Sequence, residues 1–459
     1  MKFPSLLSLL PYYLLAADAC LTETERHGGH IVDLKRHISN GIINRRQANA
    51  NTIPVGTGDR FDNGNKLPRG IGSQTDNSAF NTVLNLAEIK SAVLGLKKEF
   101  GIDYFETPYK TYESRTMFGA KIPGSSSDNK QPQKHRVLLE AGIHARERGG
   151  PDHLLFFISD LLWANREGTG LVYGGNTYTP QDVTTALSMG IVVLPVVNPD
   201  GVAHDQATDS CWRKNRNPAS SVPDDPLNSV GIDLNRNFSP VWNYTKHLAP
   251  GVEAASSDPR TELFYGTGPL SEPETQNVDW VMDQFSGLGW FVDQHSPATL
   301  VLYGWCHDSN QIRDKEMNLF NPVYDGKRGV VPDTTPELAY KEYMAQRDWD
   351  VLQLTAAKMA GGMSDSTGRY YRSLQAPHLY PSSGCSADHG NYRAAMDPSN
   401  RKKKTVYGFG VEFGESNDEV ECPFYPTVEK HKQSMVEIGA AYMELLLTAS
   451  RVERGELYQ

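Results

Sequence analysis

The chain has 459 residues, enough for one large domain or about three of average size. Apolar residues make up 39% and charged residues 22%, with 40 glycines and 28 prolines, which excludes a disordered, collagen-like or coiled-coil protein. The formal net charge is −10, and the densest basic run, residues 401–404, is too short to bind nucleic acid. We therefore expect a globular protein that has no nucleic-acid partner.

The first nineteen residues have the order of a secretory signal peptide. Lys2 precedes an apolar stretch from Leu6 to Leu15, and small residues follow it, namely Ala16, Ala17 and Ala19. This stretch is too short to span a membrane, and no other apolar run approaches twenty residues. We expect residues 1–19 to be removed and the protein to be secreted, without a membrane anchor.

Residues 20–75 are polar, rich in glycine and asparagine, and lack sustained periodicity. They include the dibasic pairs Lys35-Arg36 and Arg45-Arg46, which suit a processing protease of the secretory route. We interpret this region as a flexible pro-segment with a cleavage site after Arg46. The remaining chain then divides into a folded domain, residues 76–450, and a polar tail, residues 451–459.

From residue 80 onward, short apolar runs alternate with helical patterns. The predicted strands are Arg136 to Glu140, Gly190 to Val197, Gly289 to Val292 and Tyr407 to Glu412. The predicted helices are Ala87 to Phe100, Asp152 to Ala164, Glu274 to Phe285, Glu342 to Met359 and Thr427 to Thr448. This pattern predicts a single α/β domain whose central twisted sheet is mixed parallel and antiparallel, with helices on both faces.

Five cysteines are present, of which Cys20 lies beside the signal-peptide cleavage point. The other four, Cys211, Cys306, Cys385 and Cys422, can form two disulfides by any of three pairings in an exported protein. Asn243-Tyr244-Thr245 is an N-glycosylation triplet, and Asn237-Phe238-Ser239 is another. The sequence alone does not choose between the disulfide pairings.

Polar residues follow the predicted strands in a pattern that suits a metal ion. His144 and Glu147 lie just past one strand, and His295 ends another. Two histidines and one glutamate, with a fourth position left to water, form a catalytic zinc site. Glu412 ends a third, apolar strand, where a buried charge needs a partner or a function. Asp233 is a candidate to orient a histidine ligand through its second ring nitrogen.

Taken together, these residues resemble the zinc metallocarboxypeptidases related to pancreatic carboxypeptidase A, from about residue 80 to 448. Seven separated motifs recur in order, which chance does not explain. They are His144-Ala145-Arg146-Glu147, Asn198-Pro199-Asp200-Gly201, Trp212-Arg213-Lys214, Asp233-Leu234-Asn235-Arg236-Asn237, His295-Ser296, the run Tyr380-x-x-Ser383-Gly384-x-Ser386-x-Asp388, and Glu412.

The resemblance implies a role for each matching residue. One zinc ion would be held by His144, Glu147 and His295, and Glu412 would be the general base for the activated water. Arg213 would stabilise the oxyanion. The substrate's free C-terminal carboxylate would be held by three further residues, Asn235, Arg236 and Tyr380. A glycan on Asn237 would then block the cleft, so we expect that triplet to be unused.

Two residues give conflicting indications of the preferred C-terminal side chain. Ala387 occupies the position that lines the pocket for the departing side chain, and a small neutral residue there favours apolar or aromatic side chains. Asp293 lies two residues before His295, on the same face of the strand, and would attract Lys or Arg if it reached the pocket. The stretch from Asp308 to Glu342 is predicted to be an additional loop.

The leading hypothesis is thus a secreted, monomeric zinc exopeptidase that acts on peptide and protein C-termini. A related zinc amidase on the same fold is one alternative, although it would not need Asn235, Arg236 and Tyr380 together. The other alternative is a catalytically silent binding protein, which should have lost a ligand or the base. The intact set of metal ligands, Arg213 and Glu412 favours the exopeptidase.

Overall fold

The computed structural model describes residues 51–74, 78–124, 135–331, 340–400 and 403–457. The predicted signal peptide and the predicted cleavage site after Arg46 lie outside these residues. Within them, the strands in chain order are β1 (Asp103–Lys110), β2 (Thr116–Ile122), β3 (Val137–Ala141), β4 (Leu171–Tyr173), β5 (Asn176–Tyr178), β6 (Ile191–Leu194), β7 (Trp290–His295), β8 (Leu300–Tyr303), β9 (Asn310–Gln311), β10 (Glu342–Tyr343), β11 (Arg372–Gln375) and β12 (Tyr407–Glu412).

Nine α-helices lie among the described residues. They are α1 (Leu86–Phe100), α2 (Gly150–Glu167), α3 (Pro180–Ser188), α4 (Pro199–Thr208), α5 (Tyr244–His247), α6 (Pro273–Gln284), α7 (Gln346–Thr367), α8 (Ser386–Met396) and α9 (Val428–Glu453). No helix among the described residues combines the length and the apolar character needed to cross a bilayer.

Eight strands form one central sheet in the order β1-β2-β6-β3-β7-β12-β8-β11. The four middle strands, β6, β3, β7 and β12, are parallel, whereas β2 and β8 pair antiparallel with their inner neighbours. The middle strands are almost wholly buried, as expected for parallel strands covered on both faces, and their charged residues lie toward their carboxyl ends.

Successive residues of β3 enter different hydrophobic cores, one on each face of the sheet. Leu139 packs in the larger core with α2, α7 and α9, and Leu138 packs in the smaller core with Val278 and Val281 of α6. This arrangement confirms the predicted α/β domain with a mixed sheet and helices on both faces. The edge strands β1 and β11 were not predicted because they are largely exposed and lack a continuous apolar run.

The helix predicted over Glu342 to Met359 is displaced along the chain. Glu342 and Tyr343 form the short strand β10 against β9, and the helix α7 starts at Gln346. The helix also continues past Gly362. This glycine allows α7 to pack closely on α9, since a Cβ there would lie 2.6 Å from Cγ of Glu444. It ends at Gly368, whose backbone is left-handed.

Residues 51–74, which the sequence analysis assigned to the flexible N-terminal region, pack along the domain. Ile53 is fully buried and its amide donates to the carbonyl of Pro426. Asp160 of α2 accepts hydrogen bonds from the Gly72 amide and the Ser73 hydroxyl. The folded unit therefore begins by about residue 51, earlier than the predicted boundary at residue 76, because this segment supplies its own buried anchor.

The structure contains two disulfides, which correspond to one of the three pairings that the sequence left open. Cys211 is bonded to Cys422, and Cys306 is bonded to Cys385. The first joins the segment before Arg213 to the segment that follows β12. The second joins the loop after β8 to the residue that caps α8.

The additional loop between β8 and α7 is attached to α8 through a buried histidine. The two ring nitrogens of His307 lie 3.3 Å from Asp388 Oδ2 and 3.2 Å from Glu342 Oε2. Burial alone would lower the pKa of His307, but the hydrogen bonds and charges of Asp388 and Glu342 raise it to about 9. The ring is therefore a buried cation between two carboxylates at neutral pH.

The raised pKa predicts a specific loss of stability at alkaline pH. The contribution of His307 to the free energy of unfolding, on the order of 3 kcal/mol, is complete below about pH 6.5 and is lost as the pH rises through about 9. Thermal unfolding of the wild type and of His307→Gln should therefore differ most at pH 6 and converge near pH 10. An equal difference at both pH values would contradict this assignment.

Candidate active site

Three neighbouring strands end at one edge of the sheet and bring the candidate residues together. His144 follows β3, His295 is the last residue of β7, and Glu412 is the last residue of β12, directly opposite His295 in the strand register. Gly142, with φ of 67°, turns the chain after β3 so that His144 faces the same edge. Ligands of open α/β sheets bind beyond this carboxyl edge.

The three predicted metal ligands converge, and all are buried. His144 Nδ1 lies 2.8 Å from Glu147 Oε1, and His295 Nδ1 lies 3.1 Å from Glu147 Oε2. The two Nδ1 atoms lie 3.2 Å apart. Burial opposes ionisation of Glu147, but the two imidazoles hold its pKa well below the usual range. The structure thus brings together His144, Glu147 and His295 as the sequence predicted.

This donor set fits a zinc ion. Two imidazole nitrogens and one carboxylate are a catalytic zinc ligand set, and two nitrogens bound to one zinc lie about 3.4 Å apart. A cation between the two Nδ1 atoms would also account for two ring nitrogens that face each other 3.2 Å apart in a buried site. Among the described residues, a second group with similar spacing contains Cys306 and Cys385, whose sulfurs are already bonded to each other.

Asp233 contacts the far side of one ligand ring, as predicted. Its Oδ1 lies 3.1 Å from His144 Nε2, and its Oδ2 accepts from Arg213 Nη2 at 2.9 Å. Burial opposes ionisation of Asp233, but Arg213 and Arg236 hold its pKa well below the usual range. Asp233 therefore stays charged and is placed to accept a hydrogen bond from Nε2–H of His144, which would leave Nδ1 of His144 for the metal.

Arg213 and Glu412 both border the cleft beside these ligands. The Arg213 guanidinium is buried, and its Nη1 lies 3.2 Å from His144 Nδ1. Glu412 is only 2% exposed, in a strand that is otherwise apolar. A cation and a carboxylate thus lie on the walls of one cleft, next to the metal ligands.

The predicted carboxylate-binding residues Asn235, Arg236 and Tyr380 also line this cleft, whose empty volume is about 560 Å³. The Arg236 guanidinium lies 6.0 Å from the centre of the Tyr380 ring. Gly384 allows the loop that carries Tyr380 to pack against the backbone of Arg236, since a Cβ at residue 384 would lie 2.3 Å from the Arg236 carbonyl oxygen. One guanidinium, one amide and one phenol therefore meet at the same end of the cleft.

The remaining wall of the cleft is apolar and contains Ala387, as predicted. The Cys306–Cys385 disulfide also lies in this wall, and five further residues there were not predicted from the sequence, namely Leu302, Tyr303, Ala376, Leu379 and Gly410. Most of the missed residues come from strands and loops with no polar motif, so only the fold brings them together.

Asp293 does not line this cleft, contrary to the prediction that it faces the pocket. It is fully buried, with Oδ2 2.6 Å from the Ser386 hydroxyl and 2.9 Å from His295 Nε2. Asp293 and His295 do share a strand face, but Asp293 lies one step back from the strand end, where α8 covers it. Its charge therefore faces a metal ligand rather than a substrate side chain.

The two asparagine triplets differ in exposure. Asn237 is fully buried and its amide nitrogen donates to Tyr265, Gly268 and Ser271, so it cannot carry a glycan in the folded protein. Asn243 is exposed at the start of α5. Because Asn243 is accessible, it remains the candidate position for N-glycosylation.

Comparison with known proteins relates this site to one family. Residues 107–431 match the family model described as zinc carboxypeptidase, Peptidase_M14. Human carboxypeptidase O is 27% identical over 249 residues, which are 52% of this chain and 59% of the relative. Carboxypeptidase B of Astacus astacus is 29% identical over 196 residues, 42% of this chain and 54% of the relative. The chain thus spans somewhat more than half the length of these relatives.

Solved structures share the fold. Thrombin-activatable fibrinolysis inhibitor aligns with a TM-score of 0.58 at 21% identity, over 82% of this chain and 76% of that one. Carboxypeptidase A from Helicoverpa armigera aligns with a TM-score of 0.56 at 22% identity, over 82% of this chain and 75% of that one. With the family model covering most of the described domain, this chain belongs to the zinc carboxypeptidase family.

Proposed function

We propose that this protein is a secreted zinc-dependent carboxypeptidase that removes single residues from the C-termini of peptides and proteins. The observation that carries this proposal is the position of Arg236, Asn235 and Tyr380 in the same cleft as the metal ligands. A guanidinium binds a carboxylate bidentately, so this end of the cleft suits a free chain terminus. A substrate held there presents its last peptide bond to the metal.

The chain's own residues have distinct roles in this reaction. Zinc, when bound, supplies Lewis acidity that polarises the scissile carbonyl and acidifies water. Glu412 accepts the proton of the attacking water and passes it to the departing amine. Arg213, held by Asp233, stabilises negative charge that develops on the carbonyl oxygen. The buried walls exclude bulk water, which strengthens these charge interactions.

The pocket favours a C-terminal residue with an apolar side chain. Ala387, Leu302, Gly410 and the Cys306–Cys385 disulfide offer no charge to a substrate side chain, and Asp293 is buried behind α8. Burying a Lys or Arg side chain against this wall would leave its charge without a partner. Large aliphatic and aromatic side chains should therefore be released fastest.

Two observations support an extracellular location. The N-terminal sequence has the order of a signal peptide, and the folded domain contains two disulfides, which persist in oxidising compartments. Cleavage after Arg46 would remove the polar N-terminal region and leave intact the segment from residue 51 that packs on the domain. We propose this cleavage as the maturation step, and a monomer as the mature form.

The zinc amidase and the silent binding protein are supported less well. An amidase acting on acylated amino acids or cell-wall peptides does not need a clamp for a peptide C-terminus, yet all three clamp residues border the cleft. A silent protein needs no general base, yet Glu412 is held beside intact metal ligands. Both alternatives predict that free peptides stay untrimmed.

We first predict C-terminal trimming by the secreted protein, measured by mass spectrometry. Peptides ending in Phe or Leu should lose single C-terminal residues faster than peptides ending in Lys or Glu, and amidated versions should stay intact because they lack the terminal carboxylate. A chelator should stop the reaction. In Arg236→Ala, the preference for free over amidated termini should fall by about 10-fold to 100-fold, because the variant loses a charge-assisted hydrogen bond to the terminal carboxylate. Equal trimming of amidated peptides by the wild type would contradict the proposal.

A second prediction concerns the general base. Glu412→Gln should retain zinc but lower kcat by at least about 100-fold, because a carboxamide cannot accept the proton. The matched control is Glu444→Gln, since Glu444 is a half-buried carboxylate on α9 that contacts Tyr178. Steady-state kinetics and metal content should be measured for both variants. A Glu412→Gln enzyme with near-normal kcat would remove Glu412 from the mechanism.

A further inference from the structure

A buried aspartate lies behind each histidine of the metal site, on the side away from the metal. Asp233 Oδ1 lies 3.1 Å from His144 Nε2, and Asp293 Oδ2 lies 2.9 Å from His295 Nε2. Both carboxylates are fully buried. The sequence motifs pointed to the first pair, whereas the second is visible only in the fold.

We propose that Asp293 is a positioning residue, which orients His295 for metal binding and connects that ligand to the wall of the substrate pocket. The inference rests on the proposed metal site formed by His144, Glu147 and His295. It replaces the sequence-based hypothesis that Asp293 selects basic side chains.

The ring orientation of His295 is the first argument. Its Nδ1 faces Glu147 Oε2 at 3.1 Å and His144 Nδ1 at 3.2 Å, so this nitrogen is the one available to the metal. The other nitrogen, Nε2, must then carry the proton. Asp293 Oδ2 lies 2.9 Å from Nε2, which is close enough for a charge interaction with the protonated nitrogen. A carboxylate in this position fixes the ring and raises the basicity of Nδ1.

Asn235 does not replace Asp293 in this role. Its amide nitrogen lies 3.3 Å from His295 Nε2, but an amide nitrogen is a donor and cannot accept from a protonated Nε2. The orientation of the Asn235 amide is set elsewhere, because its oxygen accepts from the Ser386 backbone at 2.8 Å. The Asn235 side chain therefore turns its amide nitrogen, and not its oxygen, toward Nε2 of His295.

Ser386 links this pair to the substrate pocket. Its hydroxyl donates to Asp293 Oδ2 at 2.6 Å, while its backbone N–H donates to Asn235. Ser386 is the first residue of α8 and immediately precedes Ala387 in the pocket wall. Hydrogen bonds thus connect Asn235 to Ser386 and Ser386 to Asp293, whose carboxylate lies 2.9 Å from Nε2 of the metal ligand His295.

The test is the zinc affinity of the metal-free protein, measured without substrate by competition with a chromogenic chelator. Asp293→Ala should raise the zinc Kd by about 100-fold and the isosteric Asp293→Asn by about 10-fold, since the amide keeps an acceptor but loses the charge. Ser386→Ala should weaken zinc binding less than Asp293→Ala. Asp160→Asn is the matched control, because Asp160 is also a buried acceptor of several hydrogen bonds but lies on α2, and its zinc Kd should stay unchanged.

Peptide trimming by the zinc-loaded variants gives a separate readout. The ratio of rates for Phe-ending and Lys-ending peptides should match that of the wild type. A zinc Kd of Asp293→Asn and Asp293→Ala within twofold of the wild type would overturn the proposal, as would a large change in the Phe-to-Lys ratio at unchanged zinc affinity. Since the zinc Kd needs no substrate, a protein that fails to trim peptides still tests this inference.

Discussion

The site depends on the parallel pairing of β3, β7 and β12. Parallel strands end at the same edge, so the residues that follow or end them meet without any long-range loop having to be placed. His144, His295 and Glu412 come from three adjacent strands in this way, and the register puts Glu412 directly opposite His295. A slip of one residue in β12 would turn Glu412 to the other face of the sheet.

Buried charge is the second constraint, and it explains the residues around the ligands. A cluster containing Glu147, Asp233, Asp293 and Glu412 would be costly in a dry interior without compensation. Arg213 bonds Asp233, and both histidine rings face carboxylates. A metal cation held by His144, Glu147 and His295 would complete this balance. The polar groups thus hold each other in fixed orientations before any substrate arrives.

The sequence predicted the features that depend on local pattern. The central strands begin with apolar runs, and the predicted metal ligands follow these runs at short spacing. Both the strands and the ligands could therefore be predicted from the sequence. Three features of the structure could not be predicted from the sequence. The packing of residues 51–74 depends on the contact of Ile53 with Pro426, and the short strand β10 pairs with β9 and places Glu342 beside His307. The position of Asp293 depends on α8, which covers the strand from a distant part of the chain.

The central claim is that one zinc ion is held by His144, Glu147 and His295 at the carboxyl edge of the sheet. Anomalous diffraction from crystals of the purified protein, recorded on both sides of the zinc absorption edge, tests it most directly. We expect one strong peak within about 2.0–2.2 Å of Nδ1 of His144, Nδ1 of His295 and a Glu147 oxygen. A peak elsewhere, coordination through Nε2, or no zinc in a protein that trims peptides would contradict the account.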